Sequence, residues 1–149
     1  MGGMVAQELA LLTKPEKVIL ISTWTGPIEF PRYARLAKSL GLARLIGGFT
    51  MRATWPLKMI LGQRDKATDE LLYGMAVKQT GAKIRHGVEA VLNWKGTRWK
   101  GPMVRIQGNK DHVTPLRFPV DHVVKGGRHI MVLAHPSEVS DAIRAAMAS

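Results

Sequence analysis

The chain has 149 residues, 46% of them hydrophobic, a length and composition that fit one globular domain with its own core. It has no cysteine, which excludes disulfides and thiolate chemistry, and none of its apolar runs reaches the roughly 18 residues of a membrane span. The formal net charge of +11 is concentrated between Trp24 and Lys100, where 14 basic residues stand against 5 acidic ones.

In chain order, the opening MGGMVAQELA lacks the basic start of a secretory signal, so the expected compartment is the cytoplasm. Met4, Val5, Leu9 and Leu12 recur at helical spacing, and Thr13-Lys14-Pro15 ends that helix because proline disfavours helix before it. Gly2 and Gly3 stand at its first turn. Glycine costs about 1 kcal/mol against alanine in a helix, so a pair there answers a steric demand from something close by. The run 17–22, KVILIS, is short, unbroken and β-branched, the pattern of a strand buried on both faces of a parallel sheet. From Pro27 to Lys100 the periodicity is helical, in pieces at 33–46, 54–61 and 66–94. A second buried strand follows at 103–108 and a weaker one at about 120–124. The closing helix begins at Pro136, with Val139, Ile143, Ala146 and Met147 along one face. The fold class expected is therefore α/β, with three parallel strands and a mainly helical insert between the first and the second.

Two loops leave the ends of strands, where open α/β sheets place ligands and catalytic groups. They are Gly108-Asn109-Lys110-Asp111-His112-Val113-Thr114-Pro115 and Gly126-Gly127-Arg128-His129. A carboxylate that accepts a hydrogen bond from one imidazole nitrogen leaves the other nitrogen as a general base, and Asp111 with His129 could form such a pair. An Asx-turn and a surface histidine account for the same two residues on spacing alone.

Taken together, the order of strand, helical insert, strand with GNKDHVTP, strand with GGRH and closing helix resembles the C-terminal portion of an α/β-hydrolase. The resemblance implies that Asp111, in Gly-x-x-Asp-x-x-x-Pro after the seventh strand, is the catalytic acid and that His129, in Gly-Gly-x-His, is the catalytic histidine. The opening residues resemble the family's nucleophile elbow, Gly-x-Ser-x-Gly-Gly, from its second x onward. Met1 would then supply an oxyanion-hole N–H, and Gly2 and Gly3 would be the elbow glycines. On this alignment the nucleophile falls one residue before Met1, so a Ser-His-Asp triad cleaving esters or related acyl bonds is represented here by its acid and its base. Ser22, Ser39, Ser137, Ser140 and Ser149 do not fit a strained strand-to-helix turn, so the 149 residues alone are expected to be inactive. The resemblance divides the chain into core segments 1–23 and 101–149 and a cap over 24–100.

Under this resemblance the cap sets a substrate pocket, and Trp24, Phe30, Phe49, Trp55, Tyr73, Trp94 and Trp99 are candidates either to line it or to pack the insert's own core. The basic amphipathic run from Arg32 could rest on an anionic membrane, and a solvated outer face of a cap explains it as well. The expected partner is a small acyl substrate; nucleic acid and membrane are not expected partners. Self-association through the open apolar edge of strand 17–22 is expected too. No metal or cofactor is expected, since His86, His112, His122, His129 and His135 show no paired ligand spacing and no phosphate-binding glycine loop is present. The alternative function is a non-catalytic basic module that binds an anionic partner, nucleic acid or membrane surface, through the insert.

Overall fold

The computed structural model describes residues 1–45, 70, 73–75 and 78–148. The expected helix at 54–61, the 66–69 start of the next one, Phe49, Trp55 and Ser149 lie outside them. Along the described chain come α1 (Gly2–Thr13), β1 (Val18–Ile21), α2 (Arg32–Ser39), α3 (Gly81–Asn93), β2 (Met103–Gly108), β3 (His122–Val124), α4 (Met131–Ala134) and α5 (Pro136–Ala148). Single 3-10 turns occur at Pro27–Glu29 and Leu42–Leu45.

The three strands form one open parallel sheet in the order β1-β2-β3, with helices flanking it, an α/β arrangement. Alternation along β1 sends Val18 and Leu20 toward Ala10 of α1, while Ile19 and Ile21 join Ile106, Val124, Val139 and Ala142 on the side of α5. Each strand residue therefore meets a helix on one face or the other, which explains why the run is apolar without a break. Lys17 just before β1 donates from Nζ to the Ala146 carbonyl at 2.7 Å, a cation placed on the C-terminal end of α5. A third cluster, Met4, Phe30, Ala34 and Leu92, joins α1 to α2 and α3. The register sets Ile106 beside His122 and Gly108 beside Val124, so β2 and β3 end level and their loops start side by side.

The start of α1 agrees with the sequence reading: the N–H of Met4 bonds the Met1 carbonyl at 2.9 Å, and Gly2 and Gly3 form the first turn. Other boundaries differ from expectation for local reasons. The helix expected from Tyr33 to Ile46 ends at Ser39, where Gly41 takes a left-handed φ of 63° and a separate 3-10 turn follows. In the expected helix 66–94, residues 78–80 are not helical, and Thr80 caps a fresh start by accepting the Lys83 N–H at 3.3 Å. On α5 the buried positions are Val139, Ala142 and Ala146; Met147, expected on that face, lies one step further round and is 74% exposed. The short α4 has too few residues for a periodic signal and was not expected.

Among the described residues β1 has a strand partner on one edge only. Beside it α1 leaves Val5, Leu9 and Leu12 exposed at helical spacing. An open strand edge flanked by apolar side chains favours association. Light scattering of concentrated protein is expected to report species larger than a monomer, reduced by Leu9→Lys with Leu12→Lys; a concentration-independent monomer would contradict it.

Candidate active site

Gln107 is an amide in an otherwise apolar strand end, and it is buried. Its Nε2 donates to Thr114 Oγ1 at 2.7 Å, to the Thr114 carbonyl, and to Asp111 Oδ2 at 3.3 Å. Asp111 follows β2 after the turn Gly108-Asn109-Lys110, and its carboxylate has no exposed side-chain surface. Oδ1 accepts the backbone N–H groups of Val113 and Thr114, both at 2.8 Å, closing an Asx-turn. Oδ2 accepts the Thr114 hydroxyl at 2.5 Å and faces His129 Nδ1 at 3.0 Å. A buried carboxylate with this many donors remains ionised.

Burial is the largest single influence on Asp111 and works against its charge. Hydrogen bonds from His129 and Thr114, the charge of His129 and the Thr114 N–H together outweigh it and hold the carboxyl below its ordinary value of 3.8. A depressed carboxyl pKa adds stability above the unfolded-state value, and that contribution is lost as pH falls through the folded-state value. Denaturant titrations are thus expected to show stability falling from about pH 4 downward, and Asp111→Asn should remove that part of the acid dependence. Parent and variant curves that stay parallel below pH 4 would count against it.

His129 sits between β3 and α4, with fully buried Met131 anchoring the start of α4. Its side chain is 29% exposed. The Asp111 carboxylate makes Nδ1 the protonated nitrogen, and no described residue hydrogen-bonds Nε2. The geometry is that of an oriented general base.

Backbone contacts fasten the two loops together. The Lys110 N–H bonds the Gly127 carbonyl at 2.9 Å, the Gly126 N–H bonds Asn109 Oδ1 at 2.7 Å, and the Asn109 N–H bonds the Val124 carbonyl at 3.3 Å. A side chain at Gly108 would run into the carbonyl of Gly127, and one at Gly127 would lie 3.1 Å from the Cα of Gly108. Gly108 and Gly127, one from each loop pattern, make this approach possible, while Gly126 serves the turn through its positive φ of 79°.

An apolar cavity of about 630 Å³ adjoins the acid loop. Met1, Trp24, Ala34, Val88, Leu92 and Val113 help to line it, and Val113 is the residue whose N–H binds Asp111. Such a volume lies in the range that takes a small organic ligand. Tyr33 also lines the cavity and donates its hydroxyl to the His112 carbonyl at 3.2 Å, tying α2 to the acid loop. Burial, then the Asp111 charge, push the Tyr33 phenol upward against the opposing Arg117, so it remains a donor.

Of the residues singled out in the sequence, Asp111 and His129 meet and Met1 reaches the cavity. A Cβ on Gly3 would collide with the Thr23 side chain, whereas one on Gly2 would find nothing within 4 Å. Among the aromatics, Trp24 lines the cavity and packs edge-on to Phe30 at 4.8 Å, Phe30 and Trp94 belong to the core beneath α2 and α3, Trp99 packs beside β1, and Tyr73 is exposed. Ser22 follows β1 with a φ of 47° and a buried hydroxyl without a hydrogen-bond partner; Ser39 donates to the Leu36 carbonyl, and Ser137 and Ser140 are exposed on α5. No described serine hydroxyl bonds His129. Gln107, Thr114 and Tyr33 are site residues that sequence reasoning missed. A lone amide in MVRIQG and a threonine three residues after the aspartate were the signals available for the first two.

Among the described residues no helix is long and apolar enough to cross a membrane, and no cluster of His, Asp and Glu could hold a metal. No protein-family model matches the chain, and a search of curated proteins finds no match.

Proposed function

We propose that the chain carries the acid and base of a Ser-His-Asp hydrolase of the α/β-hydrolase type acting on esters or related acyl compounds. The observation that carries this reading is the 3.0 Å contact of His129 Nδ1 with a fully buried Asp111 carboxylate at the C-terminal end of a parallel sheet. In this reading residues 24–100 form the cap over the site, and the neighbouring cavity receives the acyl or alcohol part of the substrate.

His129 Nε2 accepts the proton of an attacking serine hydroxyl as its oxygen bonds the acyl carbon. The same nitrogen then returns that proton to the departing alcohol oxygen. Asp111 stays ionised throughout and stabilises the imidazolium. The elbow pattern puts the serine before Met1 and assigns the Met1 N–H to the oxyanion hole; Gly3, held against Thr23, keeps the start of α1 close to the segment after β1.

The test is labelling by a serine-directed fluorophosphonate of the polypeptide extended through the Gly-x-Ser of that pattern. Covalent labelling of the extended protein, abolished by His129→Ala, is expected. A folded extended protein that takes no label would overturn the reading.

A further inference from the structure

Helix α2 is packed the reverse of a helix bathed in water. Its inward positions are small, with Ala34 buried and Ala37 on the cavity wall. Its leucines point outward: Leu36 and Leu40, spaced to share one face, are 58% and 62% exposed, while Tyr33 beside them is held at the cavity rim by its hydroxyl on the His112 carbonyl. The 3-10 turn that follows exposes Leu42 and Leu45 as well. A surface helix that hides alanines and shows leucines marks an interaction face.

The charge of the same segment restricts what that face can meet. Residues 32–45 include Arg32, Arg35, Lys38 and Arg44 and no acidic residue. No described carboxylate forms an ion pair with any of the four. A second copy of this face would bring cation against cation. Nucleic acid would satisfy the cations and leave four leucine side chains in water. An anionic bilayer meets both demands, with phosphates at headgroup depth and hydrocarbon just below.

We propose that α2 and the turn Leu42–Leu45 dock on an anionic membrane surface, with Leu36, Leu40, Leu42 and Leu45 entering the acyl boundary and Arg32 and Arg35 reaching lipid phosphates. Lys38 and Arg44, which line a cleft with Glu89, add to the positive field. Tyr33 and Ala37 also line the apolar cavity, so docking sets that cavity next to the lipid and gives an apolar ligand a short route into it. The surface needs no nucleophile and stands apart from the hydrolase reading.

Flotation with vesicles tests it on the chain as it is. At about 150 mM salt, where loosely held charge is screened, the protein is expected to float with equimolar phosphatidylglycerol and phosphatidylcholine and not with phosphatidylcholine alone. Arg32→Gln or Arg35→Gln should each weaken partitioning about fivefold, and Leu36→Ser with Leu40→Ser at least about tenfold. Since the chain has no cysteine, Leu36→Cys carries a single environment-sensitive fluorophore, which is expected to shift to the blue on vesicle addition. Failure to float with the anionic vesicles, a fluorophore that stays in water, or tighter binding to duplex DNA than to vesicles would each overturn the proposal.

Discussion

Asp111→Asn is expected to lower kcat of a serine-bearing form of this protein on the order of 10⁴-fold while changing KM little. The carboxylate is surrounded by donors alone. Two backbone N–H groups bind Oδ1, while the Thr114 hydroxyl, the Gln107 amide and His129 Nδ1 converge on Oδ2. An asparagine has one acceptor oxygen for these two sets. With that oxygen on the Val113 and Thr114 N–H groups, its NH2 faces His129 Nδ1, and the imidazole relieves the clash of donors by moving its proton to Nε2. The base is then protonated at the nitrogen that, in the proposed reaction, has to accept the serine proton, while the neighbouring apolar cavity is untouched. Steady-state kinetics on an activated ester separate the two parameters. A loss under tenfold would show that Asp111 does not orient the base.

The parts of this arrangement that were legible in the sequence are those set by chemistry local to the chain. Continuous β-branched runs read as buried strands, and the loops GNKDHVTP and GGRH at strand ends put Asp111 and His129 within reach of each other. Spacing alone fitted an Asx-turn and a surface histidine equally, and only the resemblance to the α/β-hydrolases singled the two out as acid and base. Long-range contacts left no comparable mark. Arg105 in the middle of β2 pairs with Glu29 at 2.7 Å, and both side chains are largely buried. Thr25 also donates to Glu29, from its N–H and its hydroxyl, so a charge that reads as solvated in sequence is a satisfied interior group. The outward leucines of α2 were equally hidden. Helical periodicity shows that Leu36 and Leu40 share a face, but not that Ala34 and Ala37 on another face are the ones turned inward. Helix ends were displaced where one residue decides them, Gly41 after α2 and Thr80 before α3.

Gly108→Ala is expected to destabilise the protein by about 3 to 5 kcal/mol, a large share of the roughly 5–15 kcal/mol that holds a domain of this size together. The added methyl group would meet the carbonyl of Gly127, with the Gly127 Cα 2.9 Å away. Backbone opposes backbone there, and no flexible side chain can swing aside, so the loops after β2 and β3 must separate. Overpacking of this kind costs about 1–3 kcal/mol, and the Lys110 to Gly127 and Gly126 to Asn109 hydrogen bonds lost with it add about 1 kcal/mol each. Separation also moves Asp111, three residues beyond Gly108, away from His129, two beyond Gly127, so in a serine-bearing form fluorophosphonate labelling should fall further than the folded fraction. Gly2→Ala gives the contrast. Its methyl group meets nothing within 4 Å, and alanine in the first turn of α1 should stabilise by up to about 1 kcal/mol. Urea denaturation of both variants reads the difference directly, and a Gly108→Ala protein as stable as its parent would mean that the acid and histidine loops are not in contact.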